Sequence, residues 1–589
     1  MNRKVALGMA GIAAIAFLWS TYELLQRYED QELWGHIPLV QFTGFYGLIF
    51  FLFEKTGFRW KGTMHFAGLA TLSALLLSLG FPPIPLAPIL FVAFVPLLWL
   101  EHRLSQEGLR MTKLFLFSFH AFLLWNIWTT YWITNTAYAA GVIANVANAF
   151  LMTIPFIVFH YLKYRLGEKW GIVAFLACWI TFEFLHMRWE LYWPWLTLGN
   201  GLAMFAPLIQ WYEYSGVLGG SAWILAVNFG LFIIVKNWGD FSIKPVLWTG
   251  GCLIFPAVYS LILYNNIQEK GEKIEVVIVQ PNYEPHYEKF QVPVSTQLSQ
   301  FVQLSKENLN ENTDYLIFPE TSFNQIDLTN FRNSELYMGL RSIQEEFPEL
   351  RIVVGLGGYR ILSDSIEFDL PTTRTYSDTN GEPVYFEGYN CAVQIDRSGE
   401  VQEYYKALFV PGAEFFPFRK ALFFMKPIID QLGGTLEGYR TRSSQALFLS
   451  HEANVAPAIC YESIFGEFIS RFVRKGADVI FIMTNDGWWD NTAGHLQHAY
   501  YGRLRSIEMR RSIARSANMG VCYFTNQRGD ILQPTTYGYP GSIAGTLQLN
   551  QEKTFYSFWG DIVGRFALFI TLLLAVAALV RVIMPRVKV

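Results

Sequence analysis

The chain has 589 residues, of which 52% are hydrophobic and 17% aromatic, with a mean hydropathy of +0.24. That is too apolar for one soluble domain and too long for one core. A formal net charge of −3 supplies no basic surface for a nucleic acid, and no such partner is expected.

The chain opens Met1-Asn2-Arg3-Lys4 and then runs apolar to about Leu25. A basic start before an apolar run could be a signal peptide. This run is long, however, and has no clear small-x-small cleavage site before Tyr22-Glu23, so an uncleaved spanning helix is expected. A second span covers Ile37 to Phe53, and others lie near 66–82, 87–101, 114–134, 139–162, 171–187, 216–235, 246–265 and 561–584. That makes about ten stretches of near-membrane length. Basic clusters occur at Arg3/Lys4, Lys55/Arg59/Lys61, Arg103/Arg110/Lys113, Lys163/Arg165/Lys169, Lys236/Lys244 and Arg581/Arg586/Lys588. All fall on one side when the spans are counted alternately, and the acidic-leaning loop 26–35 falls on the other. Both termini are therefore expected in the cytoplasm, and the polar region after Asn265 on the outer face.

Glu183, Arg188 and Glu190 surround the aromatic stretch Trp189 to Leu196. Charges beside a span mark a functional cavity or a snorkelling interface, and the density of Trp and Tyr favours the interface. Residues 272–558 then have the length of one domain. Ile274 to Gln280 reads as its first strand, and strand-like runs return at 315–318, 352–356, 391–395, 401–405, 455–459, 478–483 and 521–525. Helix-compatible stretches such as 294–310 and 334–346 separate several of them, which suggests a layered α/β fold. Segment 360–389, rich in Asp, Ser, Thr and Gly, reads as a surface insertion. The alternating charge of 503–511 suits an amphipathic helix with Glu508 and Arg511 one turn apart. Cys178 and Cys252 lie inside apolar spans, and Cys391 and Cys522 on strand-like runs. No disulfide framework follows from them, and His495 and His498 have no third ligand spaced nearby, so no metal is expected.

Three strand ends carry chemistry. Leu316-Ile317-Phe318-Pro319-Glu320 ends an apolar run in a carboxylate, and Tyr404-Tyr405-Lys406 ends another in an amine. Val455 to Ile459 ends in Cys460-Tyr461-Glu462. A thiol at a strand end, beside freed backbone N–H groups, is where a nucleophile can be exposed and its oxyanion caught. Taken alone such a Cys is more often a small buried hydrophobe, so the reading rests on its partners.

Glu320, Lys406 and Cys460 in that chain order, with Asn485-Asp486-Gly487-Trp488 downstream, resemble the catalytic triad of the nitrilase superfamily. With its spans the chain is similar to the membrane branch of that superfamily, the apolipoprotein N-acyltransferases, over about residues 64–584. The resemblance implies a polytopic α-helical membrane domain plus an α/β extramembrane domain, an αββα sandwich. The expected division is two extra N-terminal helices in 1–63, about seven transmembrane helices in 64–271, a nitrilase-like catalytic domain in 272–558 and a C-terminal transmembrane helix in 559–589. The first two spans exceed the eight expected of the family.

The resemblance also implies roles. Glu320 would be the base, with its pKa raised by burial, and Lys406 with a backbone N–H near Tyr461 would hold the oxyanion. Glu414 matches the second carboxylate of the family and would orient Lys406 or the incoming amine, although Val410-Pro411-Gly412-Ala413 ahead of it reorders the usual residues. Glu462 matches another functional position. Trp193-Pro194-Trp195-Leu196 matches an aromatic-Pro-Trp-Leu motif, so Trp193 and Trp195 would shape lipid access from the outer leaflet. Asn282 to Phe290 resembles a mobile arm, with Phe290 standing where the family often has Trp. Cys391 stands where Ser is common and reads as structural.

The reaction implied is ping-pong acyl transfer. Cys460 would take an acyl chain from a glycerophospholipid as a thioester and pass it to the α-amine of a diacylglyceryl-cysteine at a lipoprotein N-terminus. No cofactor is implied, a monomer is expected, and the place is a bacterial inner membrane with the catalytic domain in the periplasm. Two rivals remain open. One is a membrane-anchored amidase that gives its thioester to water. The other is a transporter or receptor, which predicts paired intramembrane charges along a path and a repeat between span groups; neither pattern is clear in the sequence.

Overall fold

A computed structural model describes residues 3–53, 64–108, 111–240, 242–363, 372–378, 380–418, 438–442 and 445–584. Lys55, Arg59, Lys61, Arg110, Arg586 and Lys588 of the basic clusters, and 364–371 of the expected insertion, lie outside the described residues. The chain divides into two compact units. One comprises Met1–Asn265 with Thr492–Gly494 and Asp561–Val589, and the other Asn266–Asn491 with His495–Gly560.

The first unit is helical. Among the described residues seven helices are long and apolar enough to cross a membrane: Lys4–Glu29, Ala87–Gln106, Tyr138–Leu166, Glu168–His186, Tyr212–Lys236, Ile243–Asn266 and Ile562–Ile583. This is fewer than the ten spans expected. Ile37–Leu52 and Met64–Leu79 are shorter apolar helices on either side of residues 54–63, which lie outside the described residues. Met111–Thr130 is helical as well. The helix Ile37–Phe53 packs on Arg3–Glu29, where Gly44 is needed because a Cβ there would stand 2.8 Å from the Phe17 backbone nitrogen. It also reaches Met111–Thr130 through Tyr46, whose hydroxyl bonds His120 Nδ1 at 2.7 Å.

Trp195 is fully buried, with its ring 4.8 Å from that of Trp132 and stacked on Trp193 at 5.5 Å. Glu183 accepts from Trp179 Nε1 and from the Leu198 N–H, each at 2.9 Å, just past this motif. Arg188 pairs with Asp561, and its guanidinium lies 3.8 Å from the Phe184 ring centroid.

The second unit is a sandwich of two sheets. The larger contains β1 (Lys273–Gln280), β2 (Tyr315–Ile317), β3 (Phe323–Asp327), β4 (Arg351–Ile361), β5 (Thr373–Ser377), β6 (Pro383–Ile395) and β7 (Val401–Tyr405). The smaller contains β8 (Val455–Ile459), β9 (Val479–Thr484), β10 (Ile513–Ala517), β11 (Tyr523–Thr525) and β12 (Ile531–Leu532); β13 (Gly541–Gln548) returns to pair with β1. The orders are β13-β1-β2-β4-β6-β5, with β3 on β4 and β7 on β6, and β12-β11-β10-β9-β8. β1, β2 and β4 run parallel, as do β8, β9 and β10. Such strands, covered on both faces, should be apolar throughout, and β2, β8, β9 and β10 are buried at every residue.

Helices cover both outer faces. Val294–Lys306 buries Gln297, Leu298, Phe301, Leu304 and Ser305, one stripe at helical spacing, against the larger sheet. Gly466–Arg474 and Ala493–Met509 cover the smaller one, where the Tyr523 hydroxyl donates to the Ala499 carbonyl at 2.7 Å. Between the sheets Tyr315 meets Phe481 edge-on at 5.2 Å. This is the αββα order the resemblance implied.

Two local expectations fail. Segment 360–389 is part of the sheet where it is described: β4 pairs with β6 out to Ile361–Phe386, and β5 pairs with β6 from Thr373–Glu387 to Ser377–Pro383. Its polar residues reflect a sheet edge rather than a loop. The helix at 493–509 ends before Arg511, so Glu508 pairs instead with Arg505 at 2.8 Å. Arg511 donates to the Ala477 and Glu552 carbonyls.

Candidate active site

Glu320, Lys406 and Cys460 stand just beyond the carboxyl ends of β2, β7 and β8. Each strand hands over its residue through a backbone feature. After β2 the Phe318 N–H still bonds the Val353 carbonyl at 2.8 Å, and the chain then turns over Gly355. A Cβ on Gly355 would lie 2.4 Å from the Pro319 oxygen and 2.7 Å from Glu320 Cα, so only glycine lets β4 approach there. Lys406 continues the β6–β7 ladder by donating its N–H to the Asn390 carbonyl at 2.9 Å. Cys460 opens a short 3-10 turn, Cys460–Ile464, with φ of +51°, a left-handed geometry that non-glycine residues seldom adopt.

The three side chains are buried together. Lys406 Nζ donates to Glu320 Oε1 at 3.0 Å and to Glu414 Oε1 at 2.8 Å, so one ammonium is held between two carboxylates. Burial pulls the Lys406 ammonium down, but Glu320 and Glu414 more than reverse this and hold it well above the ordinary lysine value. Burial and the Glu320 charge push the Cys460 thiol well up, while Lys406 and a hydrogen bond from Thr484 draw it back. The site therefore sets the Cys460 thiol beside the Lys406 amine and the Glu320 carboxyl.

The predicted supporting residues divide. Glu414 accepts from Val410 N–H at 2.8 Å and from Asn390 Nδ2 at 3.1 Å, beside Lys406. Glu462 is fully buried and spans the site's two strand ends. It accepts from Ala407 N–H at 2.6 Å, Leu408 N–H at 3.2 Å, Ile459 N–H at 2.8 Å and the Tyr404 hydroxyl at 2.8 Å. Burial pushes its carboxyl up to about 7, while the Ala407, Ile459 and Tyr404 donors and the Lys406 charge draw it back. Tyr461 is buried, its ring 5.2 Å from Phe465. Phe290 is 57% exposed and leans on Trp488, ring to ring at 6.2 Å. Trp193 and Trp195 belong to the helical unit described above. Cys391 is buried on β6.

Several residues without an assigned role in the sequence reading also reach this cluster. Asn390 Nδ2 donates to Glu320 Oε1 at 2.8 Å, and the Asn485 N–H to Glu320 Oε2 at 3.1 Å. Lys289 Nζ donates to the Glu320 carbonyl. Beneath Cys460, His498 Nε2 lies 3.1 Å from the Cys460 carbonyl and Nδ1 lies 2.9 Å from Asp486 Oδ1. Arg515 donates to Asp486 Oδ2 at 2.5 Å. The Asn485-Asp486 pair was visible as a motif; Asn390 and Lys289 had no spacing signal.

A buried thiol, a carboxylate beside it and a fixed ammonium can together form a covalent acyl-enzyme and stabilise its oxyanion. The chain matches known proteins along most of its length. Residues 73–262 match the family Apolipoprotein N-acyltransferase N-terminal domain, and residues 276–557 match Carbon-nitrogen hydrolase. The apolipoprotein N-acyltransferase of Chlorobaculum tepidum is 28% identical over 87% of this chain and 96% of its own. Those of Geobacter metallireducens and Thermotoga maritima are 25% and 24% identical over 84% and 85% of this chain, and 91% and 92% of theirs. Among solved structures, Saccharomyces cerevisiae Nit3, of branch 10 of the nitrilase superfamily, aligns with 50% of this chain and 95% of its own, at 15% identity and a TM-score of 0.32. The two matched regions lie side by side along most of the sequence, and the chain belongs to the apolipoprotein N-acyltransferase family, multi-pass bacterial membrane enzymes with a carbon-nitrogen hydrolase domain.

Proposed function

We propose that this acyltransferase works through Glu320, Lys406 and Cys460, taking its acyl chain from a glycerophospholipid and giving it to the α-amine of a diacylglyceryl-cysteine. The observation that carries the reading is the buried Glu320–Lys406–Glu414 cluster beside the Cys460 thiol. Glu320 takes the thiol proton as sulfur attacks the sn-1 ester carbonyl, and the oxyanion is held by Lys406 and a backbone N–H near Tyr461. Collapse expels the lysophospholipid alkoxide, which takes the proton from Glu320, and leaves the thioester. The acceptor amine then attacks that carbonyl, loses a proton to Glu320, and the Cys460 sulfur leaves and is reprotonated. Glu414 holds Lys406 in place throughout, and Glu462 ties the Lys406 and Cys460 strand ends to one carboxylate. Phe290, exposed on the catalytic unit, contacts an acyl chain. Within the helical unit Trp193 shapes lipid access, with the buried Trp195 stacked behind it. The enzyme works as a monomer.

Hydrolysis of the thioester is not favoured, because the carbon-nitrogen hydrolase domain follows an Apolipoprotein N-acyltransferase N-terminal domain in the same chain. The positive-inside pattern supports a periplasmic catalytic domain with both termini in the cytoplasm. A phosphatase reporter fused after residue 300 should be active and one after Val589 silent; the reverse pattern would put Cys460 away from translocated lipoproteins. The direct test is intact-mass analysis after incubation with phospholipid. One acyl chain should add to the wild-type protein at Cys460, and should leave on addition of a diacylglyceryl-cysteine peptide. Acylation elsewhere would overturn the assignment.

A further inference from the structure

Two neighbours on the stretch before the helix Val294–Lys306 go opposite ways: Phe290 is 57% exposed and Lys289 only 1%. Burying a lysine is costly unless its ammonium is held, and here it is held by one turn of chain. Lys289 Nζ donates to the Glu320 carbonyl at 3.3 Å and to the Thr321 hydroxyl at 3.0 Å. The lysine is itself anchored, its N–H donating to the Glu284 carbonyl at 2.8 Å and its carbonyl accepting from Gln297 Nε2 at 2.8 Å. The turn it grips is strained, because Thr321 has φ of +46°, where a β-branched side chain is an outlier. Such a conformation persists only where its surroundings over-determine it. Ser322, donating to the Gly355 carbonyl at 2.8 Å, secures the far side, and Lys289 the near side.

We propose that Lys289 is a positioning residue for acyl transfer: its side chain clamps the Glu320–Thr321 turn in its left-handed bend and so keeps the Glu320 carboxylate aligned with Lys406 and the Cys460 thiol. The proposal rests on the reading of Glu320 as the base. Burial brings Lys289 down to about 7, with the Glu320 charge drawing it back up, and both amine and ammonium carry N–H groups to donate. The clamp therefore does not depend on the protonation state of the lysine.

The test uses the full-length enzyme in detergent with a phospholipid donor, reading the rate of Cys460 acylation by intact mass, the KM for phospholipid and the Tm. Lys289→Met keeps length and removes the donors; Lys289→Gln keeps an N–H. A misalignment of about 1 Å can cost on the order of 10²-fold. Lys289→Met should slow acylation by roughly 10- to 100-fold with KM unchanged, and Lys289→Gln should recover a substantial part of that loss. Thr321→Val, which deletes one acceptor at constant shape, should slow acylation by a few-fold and decides the matter if Lys289→Met does not fold. Lys289→Met within two-fold of wild type would overturn the clamp. So would Met and Gln variants that are equally slow and equally destabilised, since that would be packing alone. Glu320→Gln runs alongside: normal acylation there would remove the base assignment itself, whatever the Lys289 variants do.

Discussion

Buried polar groups are treated differently in the two units. Inside the helical unit they are mostly neutral and pair off. Asn148 Nδ2 donates to Asn126 Oδ1 at 2.7 Å and Asn148 Oδ1 lies 3.0 Å from His186 Nε2, while Thr130 donates to Asn145 at 2.9 Å. Its charged pairs sit near helix ends, as Lys163 with Glu101 and Arg188 with Asp561 do. In the catalytic unit charges meet in the interior. Glu320, Lys406 and Glu414 place two carboxylates around one ammonium, and Asp486, Arg515 and His498 lie fully buried beneath the nucleophile. A buried ion pair rarely gains stability over an apolar replacement, and a surplus carboxylate gains less. The neutral pairs hold helices in register, whereas the charges mark where a reaction needs them.

The comparison is broken most directly at Cys460. Cys460→Ala should abolish both acyl-enzyme formation and transfer while leaving a folded membrane protein, checked by intact mass and by size-exclusion profile. Near-wild-type transfer would turn the interior charges into structure without chemistry. Next in size are the charges themselves. Glu320→Gln should leave no acyl-enzyme accumulating, and Lys406→Ala should slow acylation by at least ~10²-fold, the scale of one lost oxyanion donor. Normal acyl-enzyme formation in Glu320→Gln would show that another residue is the base.

Much of this contrast was legible beforehand. Strand ends at Glu320 and Cys460 stood out because parallel strands, buried on both faces, are continuous apolar runs, and a polar residue that stops such a run is conspicuous. Lys406 follows the antiparallel, partly buried β7 and stood out only by its order between the other two. The same argument could not find β3, β5 or β13. Their burial alternates or is partial, and β5 lies at the open edge of the sheet, where polar residues look like loop. Of the ten expected spans, seven coincide with helices of membrane length among the described residues, and Ile37–Leu52, Met64–Leu79 and Met111–Thr130 are the apolar helices at the other three. Lys289 was illegible for another reason. A lysine between Glu288 and an aromatic reads as solvent-exposed, and only the tertiary fold turns its side chain inward to Glu320. Asn390, in the middle of β6, was hidden in the same way.

A smaller effect sharpens the comparison through pH. Glu462 has its folded-state carboxyl raised from 4.5 to about 7, so the folded protein holds a proton that the unfolded chain has lost across that window. Its contribution to stability is therefore full below about 4.5 and falls as pH rises toward 7, by at most about 3 kcal/mol at about 1.36 kcal/mol per pH unit. Glu462→Gln should be less stable at acid pH, because an amide cannot accept from all four donors, yet its Tm should change less between pH 4.5 and 7. An unaltered pH slope would show that Glu462 is not the group responsible.

The smallest expected effect tests the other side of the contrast. Asn148 joins Asn126 and His186 in the helical interior, and Trp189 Nε1 donates to His186 Nδ1 at 2.9 Å. The imidazole then carries its proton on Nε2, facing Asn148, and both ring nitrogens are satisfied without charge. Interhelical hydrogen bonds of this neutral kind are worth only about 0.6 kcal/mol on average, and up to about 1.7, because helices separated within the bilayer find other partners. Asn148→Ala should therefore lower stability by about 1 kcal/mol, read as a drop of a few degrees in Tm in detergent. The acylation rate per folded molecule should not change, because nothing in this network carries charge to a reacting group. A variant with an unchanged Tm and a hundred-fold slower acylation would place a functional polar site inside the helical unit, and the division between neutral scaffold and charged chemistry would then be wrong.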